Sequence, residues 1–323
     1  MERIKLAGTD LTVGRVVFGT MTFGTQVDVG EAAQMVHTCR EAGVTMFDTS
    51  NNYANGASEE MLGQIIKPFR DEVVVSTKAG SHVDQADPSL AGLGRKALHH
   101  AVDASLRRLG LDHIDVYYLH RPDWRTPIEE TLAAADEIVR SGKVRFVGQS
   151  NFAAWQITEM HYLAKIHGWP EVRISQPMYN LLGRRIEAEY AACSERLELT
   201  NITYNPLAGG LLTGKHKQDS PPDAGTRFSK PRYRDRYWNT AQFRAVEQLR
   251  LIAEDAGVTL IELAYGWLNS RPLAHGLLLG ASHLDQLRSN LAAVESTTLG
   301  ADTMSACDEV WSDLRGAAPD YNR

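Results

Sequence analysis

The stretch from Met46 to Gly63, MFDTSNNYANGASEEMLG, puts a carboxylate, Asp48, at the end of an apolar run and a phenol, Tyr53, five residues on, in a segment rich in Asn, Gly and Ser. Two later apolar runs also end in ionisable groups: VVVSTKAG carries Lys78 and IDVYYLHRP carries His120. These four residue types define a proton chemistry. A free tyrosine has a pKa of about 10, too high for a ready proton donor at neutral pH. A nearby ammonium favours the phenolate and lowers that pKa. A buried lysine needs a partner to stay charged, and Asp48 can supply it. His120 can hydrogen-bond the oxygen that Tyr53 protonates, and so orient a carbonyl. The set holds no nucleophile–base pair and no cluster of metal ligands. What it still needs is a hydride, which proteins take from a cofactor. Each residue alone also has an ordinary structural reading. Asp48 would cap a turn, Tyr53 would sit on the surface, Lys78 would reach out to water and His120 would be a hydrogen-bonded structural group. Their placement on successive strand ends favours the joint reading.

The elements that must position them follow from patterning. Apolar, β-branched runs predict strands at 15–21, 45–50, 73–79, 114–120, 144–150, 173–179, 201–206 and 276–282, and helical patterns fill 30–42, 58–67, 92–109, 128–141, 153–167, 185–198, 240–256 and 284–294. Short apolar strands of this kind suit a parallel sheet covered on both faces. Eight strands, each followed by a helix, predict a closed (β/α)8 TIM barrel, with an open doubly wound sheet as the alternative. Residues 3–14 read as a hairpin that plugs the barrel floor, 259–270 and 301–314 as extra C-terminal helices, and 207–239 as a long loop rich in Gly, Pro and Arg. The expected organisation is one barrel domain over residues 1–323. Active sites of such barrels lie at the C-terminal ends of the strands. There the sequence places Ser150 and Asn151 after the fifth strand, Gln176 on the sixth and Tyr204 on the seventh.

A formal net charge of −6 argues against general nucleic-acid binding, which usually needs a basic face. The three cysteines, Cys39, Cys193 and Cys307, show no CxxC spacing and read as reduced thiols. The opening residues MERIKLAGTD have no apolar segment of the secretory type. No apolar run approaches the about 18 residues of a membrane span. A cytoplasmic protein with no membrane or nucleic-acid partner is expected. A homo-oligomer is compatible with the sequence, which leaves the oligomeric state undetermined.

At this point the chain resembles the aldo-keto reductases along nearly its whole length. FDTSNNYANGASEEMLG is similar to the family block FDTAxxYGxSExxLG, STKAG to its lysine strand, and DVYYLHRPDWRTPIEET to its histidine strand and following helix. GQSNFAAWQ, ISQPMYNLL, YNPLAGGLLTGK and GLLLGASHLDQLRSNL match the later blocks in order. The late blocks most resemble the branch holding bacterial reductases and potassium channel beta subunits. The resemblance implies a barrel that binds a nicotinamide dinucleotide in extended form, with Asp48, Tyr53, Lys78 and His120 as the catalytic tetrad. It implies that Ser150, Asn151 and Gln176 hold the carboxamide and that Tyr204 stacks on the nicotinamide ring. Lys215 and Arg227 would meet the cofactor's phosphates, and Ser282, Gln286 and Asn290 the adenosine end. NADPH is expected over NADH, on Lys215, Arg227 and family habit. Many relatives carry Arg or Lys where this chain has Gly280 or Ser282, which weakens the case for a tightly held 2′-phosphate. YNPL replaces the family's YSPL, a change expected to have little consequence.

The residues expected to form the substrate wall are Met21, Phe23, Asn52, Trp124 and the loop 228–238, FSKPRYRDRYW. Arginine suits carboxylates and phosphates, and aromatic rings stack on sugar faces. The expected function is reduction of a small aldehyde or ketone, including sugar-type carbonyls, to an alcohol, with Tyr53 as proton donor. The alternative is a cofactor-binding regulatory subunit that turns over slowly and senses redox state through a partner.

Overall fold

The computed structural model describes residues 1–81, 87–222 and 225–317. The strands are β1 (Arg3–Lys5), β2 (Thr12–Gly14), β3 (Val16–Gly19), β4 (Met46–Asp48), β5 (Val74–Ala79), β6 (Ile114–Leu119), β7 (Val144–Ser150), β8 (Ile174–Gln176), β9 (Thr200–Thr203) and β10 (Gly276–Leu279). The helices are α1 (Val29–Glu41), α2 (Ala57–Ile66), α3 (Arg95–Leu109), α4 (Ile128–Arg140), α5 (Ala154–His167), α6 (Tyr190–Arg196), α7 (Pro231–Tyr237), α8 (Thr240–Asp255), α9 (Leu260–Asn269), α10 (Leu284–Ser296) and α11 (Ala301–Arg315). Strands β3 to β10 pair in parallel and close on themselves, β10 returning to β3. The fold is the (β/α)8 barrel expected from the alternation. Its strands are buried on both faces, which is why they read as continuous apolar runs rather than alternating ones.

The antiparallel pair β1–β2 covers the N-terminal end of the barrel. Leu6, Leu11 and Val13 pack in one cluster with Val17, Met46, Val116, Ile174 and Ile202 from the barrel strands. Two hydrogen bonds anchor the hairpin at the start of strands: Ala7 N–H to Thr200 Oγ1 at 2.8 Å and Gly14 N–H to Thr45 Oγ1 at 2.9 Å. The floor is therefore closed by side chains, as the sequence suggested, and polar groups collect at the opposite end.

Several boundaries differ from expectation for local reasons. Strand β8 stops at Gln176 because Pro177 has no N–H to donate to the ladder, and β9 stops short of Pro206. The expected helix 185–198 is a single 3₁₀ turn, Arg185–Glu187, followed by the short α6. The long loop 207–239 is not free of structure. It contains 3₁₀ turns at Ala208–Thr213 and Arg227–Ser229, then α7, which begins at Pro231, a residue suited to the first helical position. Stacked rings pin this segment: His216, Phe228, Trp238 and Phe243 form a chain of edge-to-face contacts 4.9–5.0 Å apart between successive centroids. The two helices after it exchange the expected roles. Helix α9, read as the extra one, is buried on most sides and lies against α10, whereas α8 packs on α11. A capping box of Thr259 and Glu262 starts α9 right after α8.

Helices α2 and α3 meet at a glycine. A Cβ on Gly63 would stand 2.1 Å from the carbonyl oxygen of Leu109, a backbone atom that cannot swing aside. This contact seats α2, the helix that follows the Tyr53 turn, directly on α3. Gly63→Ala should lower stability by about 1–3 kcal/mol, the usual range for overpacking a tight contact. Thermal unfolding checks it, and an unchanged melting temperature would mean that α2 can move off α3 at no cost.

Candidate active site

Asp48 ends β4 and Lys78 lies in β5, one strand over. Both side chains are buried, at 0% and 1% exposure. The Lys78 ammonium hydrogen-bonds Asp48 Oδ1 and, at 2.7 Å, the carbonyl oxygen of Thr49. It also hydrogen-bonds the Tyr53 hydroxyl, with Nζ 5.1 Å from the phenol ring centre. The second oxygen of Asp48 accepts from Ser76 Oγ at 2.7 Å and from Gln176 Nε2 at 3.1 Å. Every polar group of this buried pair thus has a partner, which a buried ion pair requires. Tyr53 opens a turn in which Ala54 and Asn55 take left-handed backbone angles, φ 48° and 55°. That turn folds the phenol back over Lys78. His120 follows β6 and meets the Tyr53 ring edge to face at 6.2 Å.

Electrostatics divide the labour. Burial pulls the Lys78 pKa down, but Asp48 and Tyr53 outweigh it and the net shift is upward, so the ammonium stays charged. Tyr53 corrects the expectation. Burial pushes its phenol up, Lys78 pulls it down, and Asp48 and Tyr233 push it up again. The pull of the lysine is present but does not prevail, and Tyr53 keeps its proton at neutral pH. His120 moves the other way. Burial first, then the charges of Lys78, Arg232 and Arg121, drop it to about 3. Its ring is therefore neutral, with one donor and one acceptor nitrogen. Nδ1 lies 3.2 Å from Ser50 Oγ, which leaves Nε2 for the cavity.

A cavity of about 520 Å³ opens above these groups. Of the residues named from the sequence, Met21, Asp48, Tyr53, His120, Ser150, Asn151, Gln176, Tyr204, Lys215, Arg227, Ser282 and Gln286 line it. Lys78 lies beneath, bonded to Asp48 and Tyr53. Ser150 Oγ donates to the Gln176 carbonyl at 2.7 Å, Asn151 Nδ2 to the His120 carbonyl at 2.9 Å, and Tyr204 OH to Asn151 Oδ1 at 2.7 Å. Asn151 takes the left-handed φ of 65° that asparagine tolerates, which turns its amide back over the rim. Gln286 Oε1 accepts from Ser282 N at 2.9 Å and Ser282 Oγ at 3.1 Å. One turn further along α10, Asn290 is buried with both amide atoms unpartnered. Burying an unsatisfied amide is costly. A ligand with both donors and acceptors at this end, as an adenine ring has, would satisfy it. The basic Lys215 and Arg227, the open face of Tyr204 and this orphaned amide together fit a dinucleotide.

Other expected residues, Asn290 among them, do not line the cavity. Phe23 is fully buried against Phe18, and Asn52 accepts from Ser50 Oγ at 2.7 Å. Trp124 is 78% exposed and packs on Trp155 with centroids 6.3 Å apart. In their place stand Arg232, Tyr233 and Tyr265. The first two were signalled by the basic, aromatic run PRYRDRY; Tyr265 sits in an apolar helix and carried no signal. Asn205, expected to matter little, is buried with φ 65°. Its amide accepts from Gly209 N at 2.6 Å and donates to Tyr237 OH at 2.8 Å, tying α7 to the end of β9.

With this geometry in hand, comparison with known proteins identifies the class. The aldo/keto reductase family matches residues 15–312, and the chain belongs to that family. Among similar proteins, a probable voltage-gated potassium channel subunit beta of Oryza sativa subsp. japonica is 36% identical over 303 residues, covering 91% of this chain and 92% of its own length. Aflatoxin B1 aldehyde reductase member 2 of Mus musculus is 33% identical over 325 residues, covering 95% of this chain and 87% of its own. The family acts on small carbonyl compounds and generally uses a nicotinamide dinucleotide, which supports a carbonyl-reducing oxidoreductase. Among the described residues no helix is long and apolar enough to cross a membrane.

The neutral state of His120 is directly testable. Its ring resonances should stay those of a neutral imidazole from pH 8 to pH 5 in ¹⁵N-resolved NMR. The unfolded chain binds this proton near pH 6.5, the folded chain only near 3. The unfolded state therefore gains the proton first, and this group removes stability as pH falls from about 6.5 toward about 3. A ring titrating near 6.5 in the folded protein would overturn the neutral assignment.

Proposed function

We propose that the protein is an NADPH-dependent reductase of aldehydes or ketones. The observation that carries this reading is a protonated phenol, Tyr53, facing the cavity above a buried, charged Lys78 and beside a neutral His120. When bound, the dinucleotide supplies the hydride that the carbonyl carbon receives. His120 hydrogen-bonds the carbonyl oxygen and fixes its direction. As negative charge grows on that oxygen, Tyr53 gives it a proton. The Lys78 ammonium stabilises the phenolate left behind, and Asp48 keeps that ammonium charged inside the protein. A phenol held above its ordinary pKa does not ionise before substrate arrives, and the lysine acts on the phenolate that forms during reaction. Oxidation of an alcohol uses the same groups in reverse.

Ser150, Asn151 and Gln176 are assigned to the carboxamide, Tyr204 to the nicotinamide ring, and Ser282, Gln286 and Asn290 to the adenosine. Lys215 and Arg227 favour NADPH over NADH, since phosphate recognition calls for basic groups. Arg227 also lies near Gly280, where an added Cβ would stand 3.6 Å from its guanidinium, an ordinary van der Waals contact.

Tyr53→Phe should leave NADPH binding near that of the parent and abolish turnover of a panel of aldehydes, ketones and keto-sugars. Retained turnover would remove Tyr53 from the acid role. Binding of NADPH by the parent protein without turnover of any carbonyl would favour a cofactor-sensing subunit instead, the reading suggested by the potassium channel relatives. Arg227→Ala should weaken NADPH more than NADH, by about tenfold if one charge-assisted pairing is lost. Equal losses, read by fluorescence titration, would free Arg227 from the 2′-phosphate.

A further inference from the structure

We infer that the carbonyl substrate carries an oxyanion, a carboxylate or a phosphate, which Arg232 binds. This rests on the reductase reading and names the substrate class of that same cavity.

Among the described residues, the cations that line the cavity are Lys215, Arg227 and Arg232. Arg227 lies at the end formed by Gly280, where the dinucleotide's phosphates are assigned. Arg227 and Arg232 both reach the ring of Tyr233, each with its guanidinium 5.8 Å from the ring centre, and Arg232 is the one of the two whose charge acts on His120. Its charge acts on both His120 and Tyr204, so it sits within electrostatic reach of the point where the carbonyl must lie. Its guanidinium pairs with no carboxylate among the described residues. It stands over the face of Tyr233, 5.8 Å from the ring centre. The neighbouring Arg236 is engaged differently, with Tyr204 and with Met178 Sδ.

The charges around it leave a net positive field. Among the described lining residues Asp48 is the carboxylate, and Lys78 neutralises it. His120 and Tyr53 are both neutral at pH 7. Arg232 is thus the charge that the non-reacting part of a substrate meets. It is also well positioned. Helix α7 is pinned through Tyr237, whose hydroxyl accepts from Asn205 at 2.8 Å and Asn180 at 3.1 Å, and through Tyr233, buried against Gly209 and Met21. An arginine presented on a fixed helix at a cavity mouth pairs a planar oxyanion through two parallel hydrogen bonds. Such a contact uses binding energy from the unreactive end of the substrate to orient its carbonyl.

The test compares three aldehydes on the purified full chain with NADPH: 4-carboxybenzaldehyde, 4-formylphenyl phosphate and the neutral methyl 4-formylbenzoate. One or both anions should exceed the ester about tenfold in kcat/KM, mostly through KM, and the better of the two identifies carboxylate or phosphate as the preferred group. Arg232→Gln should bring the anion-to-ester ratio to about one, and Arg232→Lys should restore part of it. Equal use of the three by the parent protein, or a preference that survives Arg232→Gln, would overturn the inference. So would a loss of NADPH affinity in Arg232→Gln with the ratio unchanged, since Arg232 would then serve the cofactor. Failure of all three to turn over counts against the reductase reading alone. Calorimetric binding of benzoate against benzamide then decides the inference: tighter benzoate that is lost in Arg232→Gln supports it, and equal binding overturns it.

Discussion

The buried contact between Lys78 and Asp48 is the constraint on which the rest of this structure turns. An ammonium with 1% exposure is tolerable only where its charge is balanced and its protons are accepted. Breaking such a pair typically costs about 3–5 kcal/mol, a large part of the whole stability of a domain. That requirement reaches outward. Asp48 needs Ser76 and Gln176, which brings strand β8 into register with the catalytic strands, and Lys78 needs the Thr49 carbonyl and the Tyr53 hydroxyl. The barrel supplies all of these from separate strand ends at fixed spacing. His120 is neutral for a different reason: burial first, and then the positive charges of Lys78, Arg232 and Arg121, disfavour its protonated form. Two neighbouring basic groups thus end in different states, Lys78 charged and His120 neutral.

How much of this was legible in the sequence depended on the kind of information. The barrel was, because parallel strands buried on both faces leave uninterrupted apolar runs, and helix caps and prolines punctuate them. So was the grouping of Asp48, Tyr53, Lys78 and His120, four ionisable residues at or just after successive strands that the closed barrel brings to one end. The direction of the Tyr53 shift was not. It is a contest between burial and one neighbouring charge, and burial is a property of the assembled site rather than of a spacing. Trp124 illustrates the same limit. It follows the histidine strand closely, yet its loop carries the ring outward onto Trp155. The segment 207–239 misled because Gly, Pro and Arg read as an open loop, whereas distant aromatic residues fold it into turns and a helix.

The exchange of roles between α8 and α9 has a comparable origin. Both carry an apolar face, and local pattern does not say which of two successive helices the barrel wall will accept. The decision is made by packing: the Leu263, Tyr265, Trp267 and Leu268 side chains of α9 are all buried, and Tyr265 reaches the cavity. Asn205 is similar. Its value lies in a left-handed backbone and two hydrogen bonds to elements four and thirty-two residues away.

The short helix α7 has a consequence for how such a protein changes over generations. The buried Lys78–Asp48 pair and its partners are embedded in strand ends, where a substitution disturbs a buried charge. Helix α7 stands apart on its own stretch of chain and meets the barrel through a few rings and the Asn205 amide. A substitution at its exposed positions, such as Arg234 or Asp235, leaves the buried charges at the strand ends untouched. Diversification of a lineage built on this plan would therefore concentrate in that segment, while the strand ends change little.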